Sequence, residues 1–217
     1  MSIEPTSIDA KLAEYIREHA SGRDEALRLV EEETAAMGDI QIMQTAPEQA
    51  AFLELLVRLG EGRRAIEVGT FTGYGAIRIA RGLADDGTLL CCELDSERAG
   101  IARRNLDRAG VGQKVEIKAG PAIETIRALP EEPSFDFAYV DAEKTGYPDY
   151  YEALLPRMNQ GGLLAFDNVL MAGLIVDSDP NEHVAAMQTL NDRLVDDERV
   201  DSVMLGMGDG LTLARVR

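Results

Sequence analysis

The sequence predicts an α/β fold: a doubly wound, seven-stranded sheet, mostly parallel, with an antiparallel C-terminal hairpin strand and a group of N-terminal helices. Three observations carry this. After Gly60, short apolar runs alternate with amphipathic stretches, the rhythm of parallel strands joined by right-handed helical crossovers. Before Gly60 the spacing is helical throughout, with no strand candidate. At the other end, the apolar runs 201–205 and 211–216 are separated only by Gly206-Met207-Gly208-Asp209-Gly210. So short a connection permits a hairpin, so one terminal strand runs antiparallel.

The N-terminal segment reads as helices over 8–20 and 24–37, apolar residues recurring at helical spacing among exposed acids. Thr45-Ala46-Pro47-Glu48 opens a third helix, with proline near the first turn and Glu48 at the positive end of the helix dipole. Its apolar face is expected at Ala51, Leu55, Leu56 and Leu59. Strands are expected over 64–68, 88–93, 115–119, 135–140 and 163–166. The helices between and after them are expected over 74–84, 96–109, 122–129, 147–158 and 182–196. No repeat, low-complexity tract or Pro/Ser-rich linker interrupts the chain. It reads as one domain over 1–217, a helical extension over 1–60 preceding a sheet core over 61–217.

A chain of 217 residues can bury a core without disulfides or structural metal. The net charge of −17 repels nucleic-acid phosphates and anionic membrane surfaces, so neither is an expected partner. Aromatics are few and Trp is absent, which disfavours a broad stacking surface. Cys91 and Cys92 are adjacent on a predicted strand and point to opposite faces, so they are expected unbridged, in a reducing compartment. No basic-then-apolar leader and no long apolar run is present, and the expected location is cytoplasmic.

The first strand runs into Gly69-Thr70-Phe71-Thr72-Gly73-Tyr74-Gly75. Glycines at such a turn let backbone approach a ligand closely. Their spacing is neither that of dinucleotide binders nor that of the phosphate-binding loop, which disfavours a polyphosphate. The second strand ends at Glu93, about twenty residues beyond the turn, where a carboxylate suits the hydroxyls of an adenosine ribose. Glu67, inside the first strand, is a further acid near the turn. Two acids suit a cationic, amine-bearing ligand, and S-adenosylmethionine meets that description. The plainer reading is a tight turn with a solvent-facing acid.

Two acidic motifs follow apolar runs. The run 135–140 leads into Asp141-Ala142-Glu143-Lys144, and 162–166 leads into Asp167-Asn168. Strand C-termini in open α/β sheets are where ligands bind. Asp141, Asp167 and Asn168 would give a hard cation such as Mg²⁺ three oxygens and leave positions open. Lys144 would be the base beside it. Asp and Asn also cap turns after strands, but two such motifs at consecutive strand ends, with a lysine, favour a site. His19 and His183 read as solvated surface residues, and Glu31-Glu32-Glu33 as a solvated helix face. The apolar stretch 171–176 is expected to form the lip of a substrate pocket.

With these motifs in place the chain resembles the cation-dependent O-methyltransferases related to caffeoyl-CoA and catechol O-methyltransferases, and most of all their small bacterial members. The resemblance covers nearly the whole chain. It rests on Ile42-Met43-Gln44 with Pro47-Glu48, Glu67 through Tyr74, Glu93-Leu94-Asp95, and Gly120-Pro121-Ala122. It continues through Asp141-Ala142-Glu143-Lys144 with Tyr147, Asp167-Asn168-Val169-Leu170, and Gly208 through Ala214.

The resemblance implies a Rossmann-like core. S-adenosylmethionine would be held by Glu67, Gly69, Tyr74, Gly75, Glu93 and Asp141, with Ala122 near the adenine and Met43 by the methionine end. It implies Asp141, Asp167 and Asn168 as ligands of Mg²⁺, with Mn²⁺ or Ca²⁺ as alternatives, and Lys144 as the catalytic base. A homodimer is implied as well. Gly75 stands where the family usually has Ser, Ala50 where Gly is common, Glu143 where Asp is frequent, and Met171 where many relatives have Trp.

The expected activity is methyl transfer to a hydroxyl of a catechol-like, ortho-dihydroxy aromatic small molecule. A tRNA wobble-hydroxyuridine O-methyltransferase on the same fold is an alternative, opposed by the charge of −17 and the lack of a basic stripe. A non-catalytic S-adenosylmethionine-binding module is another, opposed by the intact acidic motifs and Lys144. An NAD-dependent dehydrogenase is disfavoured by the glycine spacing.

Overall fold

The structure is a computed structural model and describes residues 6–217. Its strands are β1 (Arg64–Val68), β2 (Thr88–Glu93), β3 (Val115–Ala119), β4 (Phe135–Val140), β5 (Met158–Asp167), β6 (Val200–Leu205) and β7 (Leu211–Val216). They form one sheet in the order β3-β2-β1-β4-β5-β7-β6. β7 is antiparallel to both of its neighbours, β5 and β6, and every other pair is parallel. From β1 the chain winds outward to β2 and β3, then returns to add β4 and β5 on the other side. That reversal at β1/β4 opens a crevice beyond the strand C-termini.

Central parallel strands are covered on both faces and therefore read as continuous apolar runs. β4 shows why: Phe135, Phe137, Ala138, Tyr139 and Val140 are all buried, alternating between two cores. One core holds Phe135, Ala138 and Val140 against Tyr147, Tyr151, Leu154 and Leu190. The other holds Phe137 and Tyr139 against Leu53, Val57, Ile77 and Leu106. Cys91 faces the second core and Cys92 the first, and both thiols are free and buried.

The helices are α1 (Ala10–Glu18), α2 (Glu25–Ala35), α3 (Pro47–Leu59), α4 (Tyr74–Gly82), α5 (Ser96–Arg108), α6 (Ala122–Ala128), α7 (Tyr147–Leu154) and α8 (Glu182–Asp196). Asp9, Asp24, Asp95 and Asn181 cap α1, α2, α5 and α8 by accepting first-turn N–H groups. The N-terminal helices are fastened to the sheet by polar contacts as well as packing. The buried Arg78 guanidinium of α4 reaches Glu54 at 2.8 Å and the carbonyls of Ser21 and Gly22.

Some expectations need correction. The buried face of α3 is Gln49, Ala50, Leu53 and Val57, whereas Leu55 and Leu59 are 53% and 81% exposed. The helix carries apolar residues on two sides, and the side that packs on α4 is the one its spacing did not single out. β5 begins at Met158, earlier than the expected 163, because Gly161 at φ +80° and a register shift between Phe135 and Phe137 let an irregular stretch pair before the apolar run starts. The helix expected over 147–158 ends at Leu154; Pro156 cannot continue it, and the chain tightens into a 3₁₀ turn, Leu155–Arg157. Among the described residues no helix is long and apolar enough to cross a membrane.

Candidate active site

The sheet register sets the site. Val68 pairs with Cys92 on one side and Val140 on the other, so Gly69, Glu93 and Asp141 leave neighbouring strands at one level. Val140 pairs with Phe166, which brings Asp167 beside Asp141. Above these strand ends lies a cavity of about 610 Å³. Its walls come from Met43 and Thr45 before α3, the turn Gly69–Gly75, Glu93, Ala122, the segment Asp141–Lys144, Asn168 and His183.

At the glycine turn, Gly69 sits at φ +93°, and a Cβ there would collide with the carbonyl oxygen of Asp141. Only glycine serves at such a position. Glu93 binds the same turn from below. Its Oε2 accepts the N–H groups of Phe71 at 2.7 Å and Thr70 at 3.2 Å, and its Oε1 accepts that of Asp95 at 3.1 Å. The carboxylate therefore orders the turn and keeps lone pairs for hydroxyl donors in the cavity. Arg98 also lines the cavity, its guanidinium 5.5 Å from the centre of the Phe71 ring. Sequence spacing singled out neither Arg98 nor the ring beneath it.

Glu67 does not line the cavity. It is 1% exposed, beneath the wall, with Cys91 Sγ at 3.5 Å. Burial, more than any neighbour, pushes its carboxyl up to about 8. Gly75 lies directly over it, where a Cβ would come 2.8 Å from Glu67 Oε1 and 3.2 Å from Thr45 Oγ1. Tyr74 reaches the cavity at the first turn of α4, but its hydroxyl points to α2 and donates to Glu31 at 2.9 Å. Met43 is half exposed at the rim, and Ala122 is buried in the wall.

The acidic motifs meet as expected. The Tyr139 hydroxyl donates to Asp167 Oδ2 at 2.7 Å and lies 3.5 Å from Asp141 Oδ2. Asp167 is 4% exposed and, unlike Asp141 and Asn168, does not itself line the cavity; burial first, and then the charge of Asp141, push its carboxyl well above the usual carboxylate range. A cation between the two would offset the repulsion that the Asp141 charge exerts on Asp167. Asn168, at φ 58°, turns out of the strand and lines the cavity. Lys144 Nζ lies 3.1 Å from Asp141 Oδ1 and donates to the Tyr147 hydroxyl at 2.8 Å.

Among the described residues no group of three or more His, Cys, Asp or Glu is placed to hold a metal. A cation here would use Asp141, Asp167 and the Asn168 amide oxygen, completing its shell with water or substrate oxygens. That all-oxygen donor set fits Mg²⁺ or Mn²⁺.

Three further residues gain a place. Glu143 caps the 3₁₀ turn Lys144–Gly146, accepting the Gly146 N–H and the Tyr150 hydroxyl at 2.9 Å each. His183 lines the cavity from the first turn of α8, which packs on that same 3₁₀ turn; its own stretch of sequence carries no sign of this contact. Asn191 donates to the Val169 carbonyl at 3.0 Å and ties α8 to the segment after Asn168. The stretch Met171–Val176, expected as a lip, does not line the cavity. It folds into 3₁₀ turns held by Asp209 and Gln188, with Leu174 and Val176 exposed.

Comparison with known proteins decides the family. The sequence model of a family described as O-methyltransferase matches residues 17–217. The chain belongs to the O-methyltransferase family. A solved O-methyltransferase from Bacillus cereus, in complex with SAH, is 30% identical, with 95% of this chain and 97% of that one covered at a TM-score of 0.87. TomG from Streptomyces achromogenes, an O-methyltransferase involved in tomaymycin synthesis and solved with SAM, is 31% identical over 95% and 96%, also at 0.87. Caffeoyl-CoA O-methyltransferase 2 from Zea mays is 34% identical over 80% of this chain and 70% of its own length. As an O-methyltransferase, the chain is an enzyme that brings a methyl donor and an acceptor hydroxyl together.

Proposed function

We propose that this O-methyltransferase moves the methyl group of S-adenosylmethionine to a hydroxyl of a small catechol-like, ortho-dihydroxy aromatic acceptor, with a divalent cation held by Asp141, Asp167 and Asn168. The observation that carries this is the pairing of Asp141 and Asp167 at adjacent strand ends, with Lys144 Nζ 3.1 Å from Asp141; Asp141, Lys144 and Asn168 line the cavity that the Glu93-ordered glycine turn also lines, and Asp167 is buried beside them. Mg²⁺ is the favoured ion, with Mn²⁺ or Ca²⁺ as alternatives. The reading also carries a cytoplasmic location and a homodimer, the latter checked by light scattering.

When bound, the cation supplies Lewis acidity that favours the phenolate form of the acceptor, and the cofactor supplies a methyl group on a sulfonium. The chain's residues do the rest. Glu93 takes the ribose hydroxyls, and Ala122 and Met43 flank the cofactor's two ends. The Gly69–Gly75 backbone approaches the cofactor closely where side chains could not. Lys144, in its neutral amine form, would accept the acceptor's proton at Nζ and become the ammonium that the Tyr147 hydroxyl and Asp141 hold in place. With the donor held by the Gly69–Gly75 turn and Glu93 and the acceptor beside Lys144, transfer would be direct, no residue of the chain forming a covalent intermediate.

The test is a methyl-transfer screen over ortho-diphenols, free and as thioesters of the kind that names the maize relative, with and without EDTA. Monophenols and a tRNA transcript serve as controls. Transfer to ortho-diphenols, stopped by EDTA and restored by Mg²⁺ or Mn²⁺, is the expected result. Activity indifferent to EDTA removes the cation; cofactor binding without transfer to any diphenol removes the acceptor class.

A further inference from the structure

We propose that Tyr139 is a positioning residue for the cation site, its hydroxyl fixing the Asp167 carboxylate in the orientation a divalent ion requires. This rests on the cation-dependent reading above.

Tyr139 is on β4, two residues before Asp141, and is 0% exposed. A phenylalanine ring would pack in the same core, so packing does not account for the hydroxyl. A desolvated hydroxyl costs free energy unless polar partners meet it. Here four meet it, from three separate parts of the chain. The hydroxyl donates to Asp167 Oδ2 at 2.7 Å, and Gln49 Nε2, from α3, donates to its oxygen at 3.2 Å. Thr45 Oγ1 lies 3.4 Å away and Asp141 Oδ2 3.5 Å away.

A phenol has one proton, and the shorter distance assigns it to Asp167. Gln49, itself 2% exposed, sets the direction of that proton by occupying the phenol oxygen from the other side. The remaining oxygen of Asp167, Oδ1, accepts the Asn168 N–H at 2.7 Å. Both carboxylate oxygens are therefore held, each with a lone pair left for a cation. Partners of this kind, one bond behind the ligands, orient the ligands and set metal affinity. Without the hydroxyl, Asp167 is tethered at Oδ1 alone and can turn away from the position it shares with Asp141 and Asn168.

The experiment is Mn²⁺ titration followed by electron paramagnetic resonance of the free ion, with S-adenosylmethionine calorimetry and thermal melting alongside. Tyr139→Phe is expected to weaken Mn²⁺ about tenfold while leaving cofactor affinity unchanged. Gln49→Leu should weaken Mn²⁺ in the same direction but less. Tyr139→Phe also strands the Gln49 donor in the core, so the double variant Tyr139→Phe/Gln49→Leu separates positioning from stability. It should melt above the single Tyr139→Phe variant and still bind Mn²⁺ as weakly. Wild-type Mn²⁺ affinity in folded Tyr139→Phe overturns the proposal and leaves the cation reading standing. Affinity that returns with stability in the double variant also overturns it. A wild-type protein that binds no Mn²⁺ overturns both.

Discussion

Gly69 and Asp141 meet backbone to backbone: no side chain fits on Gly69 because the Asp141 carbonyl oxygen occupies its space. The contact is reinforced next door, where the Asp141 N–H donates to the Val68 carbonyl at 2.8 Å. The turn proposed to approach the cofactor and the motif proposed to bind the cation are thus a single unit.

Gly69→Ala should therefore damage the turn and the acidic motif at once. The variant must combine a left-handed backbone with a backbone overlap, which together cost about 3 kcal/mol or more. Urea unfolding should show that loss, and calorimetry should show weakened binding of both S-adenosylmethionine and Mn²⁺. Loss of only one of the two would contradict the unit.

Lys144→Ala tests the base. It is expected to lower kcat by about 10²-fold or more while leaving cofactor affinity within error, because Lys144 meets the acceptor end of the cavity. Lys144→Arg should not rescue the rate, since a guanidinium stays protonated. An unchanged kcat removes Lys144 from the proton transfer.

Glu67 makes stability pH-dependent. Its folded carboxyl is pushed up to about 8, above the unfolded value of 4.5, mainly by burial. The folded state thus holds a proton that the unfolded state releases between those values. Its stabilising effect is complete below about pH 4.5 and is lost as pH rises toward 8, at up to about 1.4 kcal/mol per pH unit. Glu67→Gln should flatten the fall in melting temperature between pH 5 and 8 measured on the cofactor-free protein. A slope equal to that of wild type would place the proton elsewhere.

Arg78→Met tests the fastening of the N-terminal helices. It leaves Glu54 and the Ser21 and Gly22 carbonyls without their buried partner, at a cost of about 3 kcal/mol. Hydrogen exchange should quicken in the segment joining α1 and α2 before it does in β1 or β4.

Much of the sheet is legible in the sequence because central parallel strands are covered on both faces and must be apolar throughout. Asp141, Lys144 and Asn168 are legible for a related reason: they are polar residues placed where such runs stop. The face of α3 was not. Leu55 and Leu59 recur at helical spacing as Leu53 and Val57 do, and only the position of α4 decides between them. Glu67 reads as a cavity acid from its strand, yet the missing side chain at Gly75 lets it lie below the wall. Tyr139, Gln49 and Arg98 take their meaning from partners on other elements, which no local pattern records.

β7 lies between β5 and β6, although it follows both in the chain. Asp167, the last residue of β5, is paired across that boundary with Leu211. On the ribosome, the strand carrying Asp167 therefore emerges with an open edge, and it stays open until residues 211–216 are made. Every other strand of the sheet, and both acidic motifs, are synthesised before this gap can close. The pairing of β4 with β5 can bring Asp141 and Asp167 together earlier, but the far edge of Asp167 is closed only once Leu211 is in place, so the carboxylate pair can form before the strand that braces it.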